Sequence, residues 1–207
     1  MAQFNFEENS EIEELHIEPT DVMTGDRNRS RYLLYQLKLS MARAKQIDII
    51  VSFLMESGVR MLLSDLKATL QRGVRIRILT GNYLGITQPS ALFLLKKELG
   101  NKVELRFYND KNRSFHPKSY IFHYENLSEI YIGSSNISRS ALTSGIEWNY
   151  RFNNNQDSQN FNLFYETFED LFKNHDEDNL VLYEKYSRKD VCRILNWEHD
   201  DSSTVYG

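Results

Sequence analysis

Apolar residues recur along the first half of the chain with two alternating periods. Short apolar runs of strand length predict β-strands at 47–53, 74–79 and 103–107. Between them, apolar residues spaced three and four apart predict helices at 30–45, 57–72 and 90–99. Strands that alternate with helices are typical of a parallel sheet with both faces covered. The pattern therefore predicts an α/β fold, with a mixed, largely parallel sheet flanked by helices on both faces.

The second half of the chain has a different pattern. Aromatic and β-branched residues predict two strands at 119–123 and 129–134, and the polar break at 124–128 predicts a hairpin between them. Farther on, phenylalanine and leucine at helical spacing predict a helix at 158–173. Because side chains alternate along a strand, Trp148 and Tyr150 are expected to pack in the core on the face opposite Glu147.

Composition sets the outer limits. The chain has 207 residues, of which 41% are hydrophobic, enough for one sizeable core with appendages. We expect an acidic N-terminal extension at 1–26, a main domain at 27–175, and a tail at 176–207 that leads into a missing domain. The single cysteine, Cys192, indicates a reducing compartment. With no leader-like apolar block and no run of membrane-spanning length, the chain is predicted to be cytoplasmic and without membrane association.

Charge neither excludes nor proves nucleic-acid binding. The formal net charge is −4, whereas most nucleic-acid-binding domains are basic. The acidic residues crowd the two ends, however, and the stretch 27–113 is net basic. Arg75 and Arg77 lie around one predicted strand, where they fit either a positive groove or a solvated charged face. The loop 80–87 follows this strand and is a candidate pocket wall, because ligands bind beyond the carboxyl ends of parallel strands.

The residues of chemical interest are concentrated in one stretch. His116 and Lys118 are two apart on an extended segment, so their side chains point to the same side. The predicted hairpin would bring Ser134 and Asn136 close to them. Imidazole, ammonium, hydroxyl and carboxamide groups would then meet in one pocket. The cation and the donors suit the charge of a phosphodiester, and a neutral imidazole can attack phosphorus.

This ordered set resembles the pattern of the phospholipase D superfamily, specifically its single-motif, nuclease-like branch. The pattern is His-x-Lys, a strand, Gly-Ser-x-Asn and a later acid, which is Glu147 here. One position departs from it, because His123 stands where the family has an acid five residues after the lysine; this departure favours a nuclease over a lipid hydrolase. The resemblance implies a metal-independent phosphodiesterase without a cofactor, acting on DNA more than RNA through a phosphohistidine intermediate.

The resemblance also implies roles for individual residues. His116 is expected to be the nucleophile or the general acid, and Glu147 is expected to orient its imidazole. A phosphate clamp and an outer set of substrate contacts complete the predicted site: Lys118, Ser134 and Asn136 in the clamp, and Lys111, Arg113, Ser135 and Arg139 outside it. A second histidine is needed for the leaving group, yet no second His-x-Lys exists in the chain. A homodimer that brings two copies of His116 together is therefore expected.

Two other functions remain open at this point. The chain fits a non-catalytic nucleic-acid-binding module of a helicase or restriction-type protein, or a lipid phosphodiesterase. Its tail resembles a segment of large bacterial helicase proteins that carry a phospholipase D-like domain, so a helicase domain in a longer parent chain is a candidate partner. The Gly-Ser-Ser-Asn turn also has a structural interpretation, because Ser134 and Asn136 are good N-caps for a helix at 137–142. Capping and phosphate binding are compatible.

Overall fold

The computed structural model describes residues 19–26, 29–108, 110, 113–173, 179–181 and 188–194. Its strands are β1 Val22–Met23, β2 Gln46–Val51, β3 Arg75–Gly81, β4 Val103–Tyr108, β5 Lys118–His123, β6 Ser128–Gly133, β7 Asn149–Asn153 and β8 Asn179–Val181. Its helices are α1 Leu33–Arg43, α2 Glu56–Gln71, α3 Pro89–Leu99, α4 Arg139–Thr143, α5 Ser158–Lys173 and α6 Arg188–Ile194.

The strands form one mixed sheet in the order β1-β7-β6-β5-β2-β3-β4-β8. The predicted α/β class is confirmed, but the sheet is less parallel than predicted. Within the described residues, only β2 with β3 and β3 with β4 pair in parallel. The connections that contain α2 and α3 produce these parallel pairs, whereas the short hairpin between β5 and β6 can join only antiparallel strands. β5 also runs antiparallel to β2.

Each face of the sheet packs against helices, as predicted. The alternation along β2 shows this directly: Ile47 and Ile49 belong to a large core with α1, α2 and α3, while Ile50 belongs to a smaller core on the other face. That smaller core contains three phenylalanines of α5: Phe161, Phe168 and Phe172. Burial of these apolar side chains on both faces is the main term that stabilises such a layered fold.

Both edges of the sheet include segments outside the predicted main domain. At one edge, β1 pairs with β7, with Val22 opposite Tyr150, although residues 22–23 belong to the predicted extension. At the other edge, β8 pairs with β4, and α6 contacts α3. Strands of two and three residues are too short to show a period in the sequence. Residues 1–18 of the predicted extension, and the residues of the tail other than 179–181 and 188–194, lie outside the described residues.

The prediction that Trp148 and Tyr150 pack in the core is wrong. Their exposed fractions are 75% and 53%. β7 lies next to the sheet edge, and on the face that carries Tyr150 and Phe152 it is Phe152 that meets α5, with its ring centroid 6.4 Å from that of Phe164. Alternation fixes the face on which a side chain lies, but the reach of the covering helix decides its burial. In the described part of the chain no helix is both long and apolar enough to cross a membrane.

Candidate active site

Pairing of β5 with β2 positions the His116-Pro117-Lys118 segment. Lys118 lies opposite Val51, the last residue of β2. Just beyond, the hydroxyl of Ser52 donates a hydrogen bond to the Pro117 carbonyl oxygen at 3.1 Å. The start of β5 is therefore fixed at the carboxyl end of β2, the edge at which α/β sheets bind ligands.

The Gly-Ser-Ser-Asn turn at the end of β6 reaches the same edge. A Cβ atom on Gly133 would lie 2.1 Å from the Trp148 carbonyl oxygen, so only glycine permits this approach. The Ser134 N–H donates to that carbonyl oxygen at 3.0 Å, and the Trp148 N–H donates to Ser134 Oγ at 3.1 Å. On the other side, the Phe53 N–H donates to Asn136 Oδ1 at 3.2 Å. The turn thus joins β7 to the loop after β2.

The helix cap lies two residues later than the predicted helix 137–142 requires. Ser138, rather than Ser134 or Asn136, is the N-cap of α4, and its Oγ accepts a hydrogen bond from the Ala141 N–H at 3.2 Å. Ser134 and Asn136 have no part in capping α4. Their polar groups are consequently available for the contacts that define the site.

His116 and Lys118 contact each other directly. Lys118 Nζ lies 2.7 Å from His116 Nε2 and 3.0 Å from the His116 carbonyl oxygen. Because an ammonium group can only donate, Nε2 is the acceptor, which assigns the ring proton to Nδ1. Desolvation, and then the nearby Lys118 charge, lower the pKa of His116 below its usual 6.5. The imidazole of His116 is therefore neutral near pH 7.

A tyrosine that the sequence did not single out packs on this histidine. The Tyr83 ring lies 4.2 Å from the His116 ring between centroids, with the planes tilted by 43°. Tyr83 begins a short 3₁₀ turn, Tyr83–Gly85, within the 80–87 loop after β3. That loop is the predicted pocket wall, and it does contact the catalytic candidate. The position of the loop was the available signal, although nothing in the pattern selected the tyrosine.

Glu147 meets a different partner from the one predicted. Its Oε2 accepts a hydrogen bond from the Ser134 hydroxyl. Across the described residues, no hydrogen bond joins Glu147 to His116. Desolvation lowers the pKa of Lys118, and the negative charge of Glu147 acts in the opposite direction. The carboxylate thus contributes charge near the lysine and orients the serine.

The remaining predicted residues divide into three groups. Asn136 is almost fully buried, and its Nδ2 group has no hydrogen-bond partner among the described residues. Ser135 is fully buried, and its hydroxyl accepts from Asn149 Nδ2 at 2.8 Å and donates to a carbonyl oxygen of α4, so substrate contact by this side chain is at odds with the structure. Arg113 and Arg139 are exposed, and Lys111 lies outside the described residues.

A cavity of about 360 Å³ opens beside the histidine and the lysine, on the face of the sheet that α5 covers. Most of its wall is apolar. Its lining includes Ile50, Ile121, Ile132, Phe164, Phe168 and Leu171. Metal-ligating side chains do not gather here: within the described residues no three His, Cys, Asp or Glu side chains could hold one ion.

Comparison with known proteins identifies the family of this chain. A family model described as "Cardiolipin synthase, PLD-like domain" matches residues 36–172, well over half of the chain. The chain belongs to the phospholipase D superfamily. This confirms the resemblance carried by His116, Lys118 and the Gly-Ser-Ser-Asn turn. A second model, described as "Domain of unknown function (DUF3427)", matches residues 180–207. None of the curated proteins compared with the chain matches it.

Solved structures with a similar fold include a member of this family. Nuc from Salmonella typhimurium, described as a phospholipase D family member, aligns with a TM-score of 0.59 at 19% identity, over 78% of this chain and 96% of its own. NucT from Helicobacter pylori aligns with a TM-score of 0.55 at 15% identity, over 72% of this chain and 91% of its own. Phosphatidylserine synthase from Haemophilus influenzae aligns with a TM-score of 0.52 at 13% identity, over 84% of this chain and 43% of its own. Each of these structures is less than 25% identical to this chain, and what they share with it is the fold.

Proposed function

We propose that this chain is a metal-independent phosphodiesterase that hydrolyses nucleic acid, DNA in preference to RNA, through a phosphohistidine intermediate in a homodimeric active site. The observation that carries the proposal is the 2.7 Å contact between Lys118 Nζ and His116 Nε2. It places a cation beside a neutral, exposed imidazole at the ligand-binding edge of the sheet. A nucleophile and the charge that attracts its anionic substrate are thus in direct contact.

The groups around the histidine suit a phosphodiester. When a phosphate enters, its oxygens compete with Nε2 for the Lys118 ammonium, which frees the lone pair of that nitrogen for attack. Asn136 Nδ2 has no other partner in the described part of the chain and can donate to a phosphate oxygen. The Ser134 hydroxyl has one proton, which it donates to Glu147, so it becomes a second donor when it exchanges that carboxylate for a phosphate oxygen. Fixed donors of this kind stabilise the charge that develops in the transition state.

A second imidazole is the reason for the dimer. His123 is the other histidine among the described residues, and both of its ring nitrogens already have partners. The proposed acid is therefore His116 of the partner subunit. Two exposed apolar side chains flank Glu147 and support an interface there: Ile146 is 84% exposed and Trp148 is 75% exposed. Apolar groups exposed beside a site are typical of surfaces that a partner covers.

The chemistry proceeds in two displacements. In the first, His116 Nε2 attacks phosphorus and the ester P–O bond breaks, while the imidazole of His116 of the partner subunit, which has taken up a proton from solvent, gives that proton to the leaving oxygen. In the second, that same imidazole takes a proton from water as the water attacks phosphorus. The P–N bond then breaks and regenerates neutral His116. No step requires a metal ion.

Nucleic acid is favoured over other phosphodiesters by the surroundings of the site. Exposed Arg113 and Arg139 lie before and after the motif, and the expected contact Lys111 would add a third cation. Such cations suit a polyanionic backbone. The resemblance of the tail to helicase-associated segments supports a DNA-processing parent chain.

Cleavage in the presence of EDTA tests the proposal. Wild-type protein should cut DNA at an unchanged rate when the chelator is added, and mass spectrometry of acid-free quenched samples should find a phosphoryl-nucleotide adduct on His116. Lys118→Ala should abolish cleavage. Lys45→Ala is its matched control and should cut like wild type, because this exposed lysine lies near the opposite end of β5. Complete loss of wild-type cleavage on chelation, or binding of DNA without any cleavage, would refute the proposed mechanism.

A further inference from the structure

The cavity beside His116 has a polar group in its wall that the fold leaves unused. Ser119 is 8% exposed, and its buried hydroxyl has no hydrogen-bond partner. It lies next to Lys118 along β5, and both residues line the cavity. A buried hydroxyl without a partner costs free energy unless something else satisfies it. This hydroxyl therefore points to a ligand with a polar edge.

The rest of the cavity has the size and composition of a small-molecule site. Its volume of about 360 Å³ is in the range of such sites, roughly 300–1,000 Å³. Phe164 and Phe168 of α5 contribute aromatic rings, and Ile121 and Ile132 contribute the sheet side. A flat aromatic ligand fits between such walls, because rings prefer offset or edge contacts with other rings.

The cavity is continuous with the proposed catalytic site. His116, Pro117 and Lys118 lie in its wall, so a phosphate held by the histidine and the lysine would be at its mouth. The group attached to that phosphate would extend toward Ser119 and α5. In a nucleic acid this group is a nucleoside, with a planar base that has hydrogen-bonding edges.

We infer that this cavity binds the unpaired nucleobase of a nucleotide next to the scissile phosphate, with the Ser119 hydroxyl pairing with the edge of the base and Phe164 packing on its face. The inference rests on the proposed function and adds a specificity site to it. A base within a duplex stack cannot enter such a cavity without being extruded. Hydrocarbon is disfavoured as the occupant because an acyl chain would leave the Ser119 hydroxyl unpaired.

The test uses dinucleotides that contain one phosphodiester, so that the scissile bond is known. Thymidylyl-thymidine is compared with analogues that lack one base or the other. Wild type should have a kcat/KM about tenfold higher when the base on one side is present, the size of effect that a single base-stacking contact gives. Thr167→Trp, at an exposed position of α5 that lines the cavity, should remove this difference by filling the space. Asn162→Trp, exposed on α5 and not part of the lining, is the matched control.

A binding measurement separates this inference from the catalytic proposal. Thymidine monophosphate should bind wild type more tightly than deoxyribose phosphate, and Ser119→Ala should reduce that preference. Ser119→Ala breaks no hydrogen bond, so its melting temperature should match wild type. If nothing is cleaved but binding still depends on the base and on Ser119, the catalytic proposal fails while the cavity inference stands.

Three results would overturn the inference. One is equal cleavage and binding with and without a base in wild type. Another is a Thr167→Trp variant whose only defect is loss of the dimer in sedimentation, which would make the cavity part of a protein interface. The third is hydrolysis of phosphatidylglycerol vesicles by wild type that Thr167→Trp abolishes while dinucleotide cleavage is unchanged, which would assign the cavity to an acyl chain.

Discussion

The two histidines associated with β5 lie in opposite surroundings. His116, two residues before the strand, is exposed, contacts Lys118 through Nε2, and has no hydrogen bond at Nδ1 within the described residues. His123, the last residue of the strand, has both nitrogens engaged: Nδ1 lies 2.9 Å from Ser128 Oγ, and Nε2 lies 2.9 Å from Asp48 Oδ2. One imidazole is available for chemistry and the other is fixed in a network.

The network around His123 is a buried ionic cluster. Asp48, fully buried, accepts hydrogen bonds from Arg77 Nε at 2.5 Å and Arg77 Nη2 at 2.8 Å. Arg77 Nη2 also lies 2.5 Å from Oε1 of Glu169 in α5. Arg77 therefore belongs neither to a positive groove nor to a solvated face, the two interpretations that the sequence left open. The cluster connects the centre of the sheet to the helix that covers it.

The partner of His123 bears on the departure from the family pattern. His123 occupies the position of the family acid, yet it contacts the Asp48 carboxylate, which comes from β2. A carboxylate is thus present at this position through a neighbouring strand. Because both imidazole nitrogens are satisfied there, we assign His123 a structural role and His116 the chemical one.

The largest expected effect separates the two histidines. His116→Ala should lower kcat by about 1,000-fold or more, as loss of a covalent nucleophile does, and should leave the free energy of unfolding within about 0.5 kcal/mol of wild type. His123→Ala should instead lose about 1–3 kcal/mol of stability, with the folded fraction still active. Steady-state kinetics and urea unfolding of both variants measure this. Inactive but fully stable His123→Ala protein would break the assignment.

The next largest effect concerns the buried cluster. Asp48→Asn removes the charge that compensates Arg77, and breaking one partner of a buried ion pair costs about 3–5 kcal/mol. Urea unfolding should show a loss of this size. Asp26→Asn is the matched control, because its ion pair with Arg31 is exposed on both sides and should contribute at most about 1 kcal/mol. Equal losses in the two variants would mean that the cluster contributes no more than a surface pair.

Acid should weaken the same cluster. Burial by itself would raise the pKa of Glu169, but hydrogen bonds from Arg77 and Lys173 outweigh it and lower the pKa to about 2. Because the pKa of Glu169 is lower in the folded than in the unfolded chain, its ionised carboxylate stabilises the fold at any pH above the unfolded pKa, near 4.5. This contribution is lost as the pH falls from 4.5 toward 2. The loss is on the order of 3 kcal/mol. Unfolding free energies measured between pH 6 and pH 2.5 should fall less steeply in Glu169→Gln than in wild type.

The smallest expected effect concerns the pKa of His116. Because burial and then the Lys118 charge depress it, the ring should titrate below 6.5 in NMR spectra of wild type. Lys118→Met removes the neighbouring charge and should move the midpoint upward, while Lys45→Met should not. An unchanged midpoint in Lys118→Met would show that the ammonium does not act on the imidazole, contrary to the 2.7 Å contact.

Much of the fold was predictable because its signals are local. The bounds of α5 agree with the predicted helix 158–173. The predicted strand 119–123 differs from β5 by one residue at its start, and the predicted strand 129–134 differs from β6 by one residue at each end. Apolar periodicity reports such elements directly. The short strands at the sheet edges, β1 and β8, were missed, because two and three residues give too few positions to define a period.

The candidate site also combines features that the sequence predicts with features that it does not. The sequence by itself determined which groups could do chemistry, since the order His116, Lys118, Ser134, Asn136 and Glu147 is written in the chain. Tertiary structure alone decided the partners: Glu147 with Ser134, Tyr83 on His116, and Asp48 with His123 from strands 75 residues apart. It also buried Ser135 and exposed Trp148. Side-chain partners depend on which strands become neighbours, and local periodicity contains no information about that.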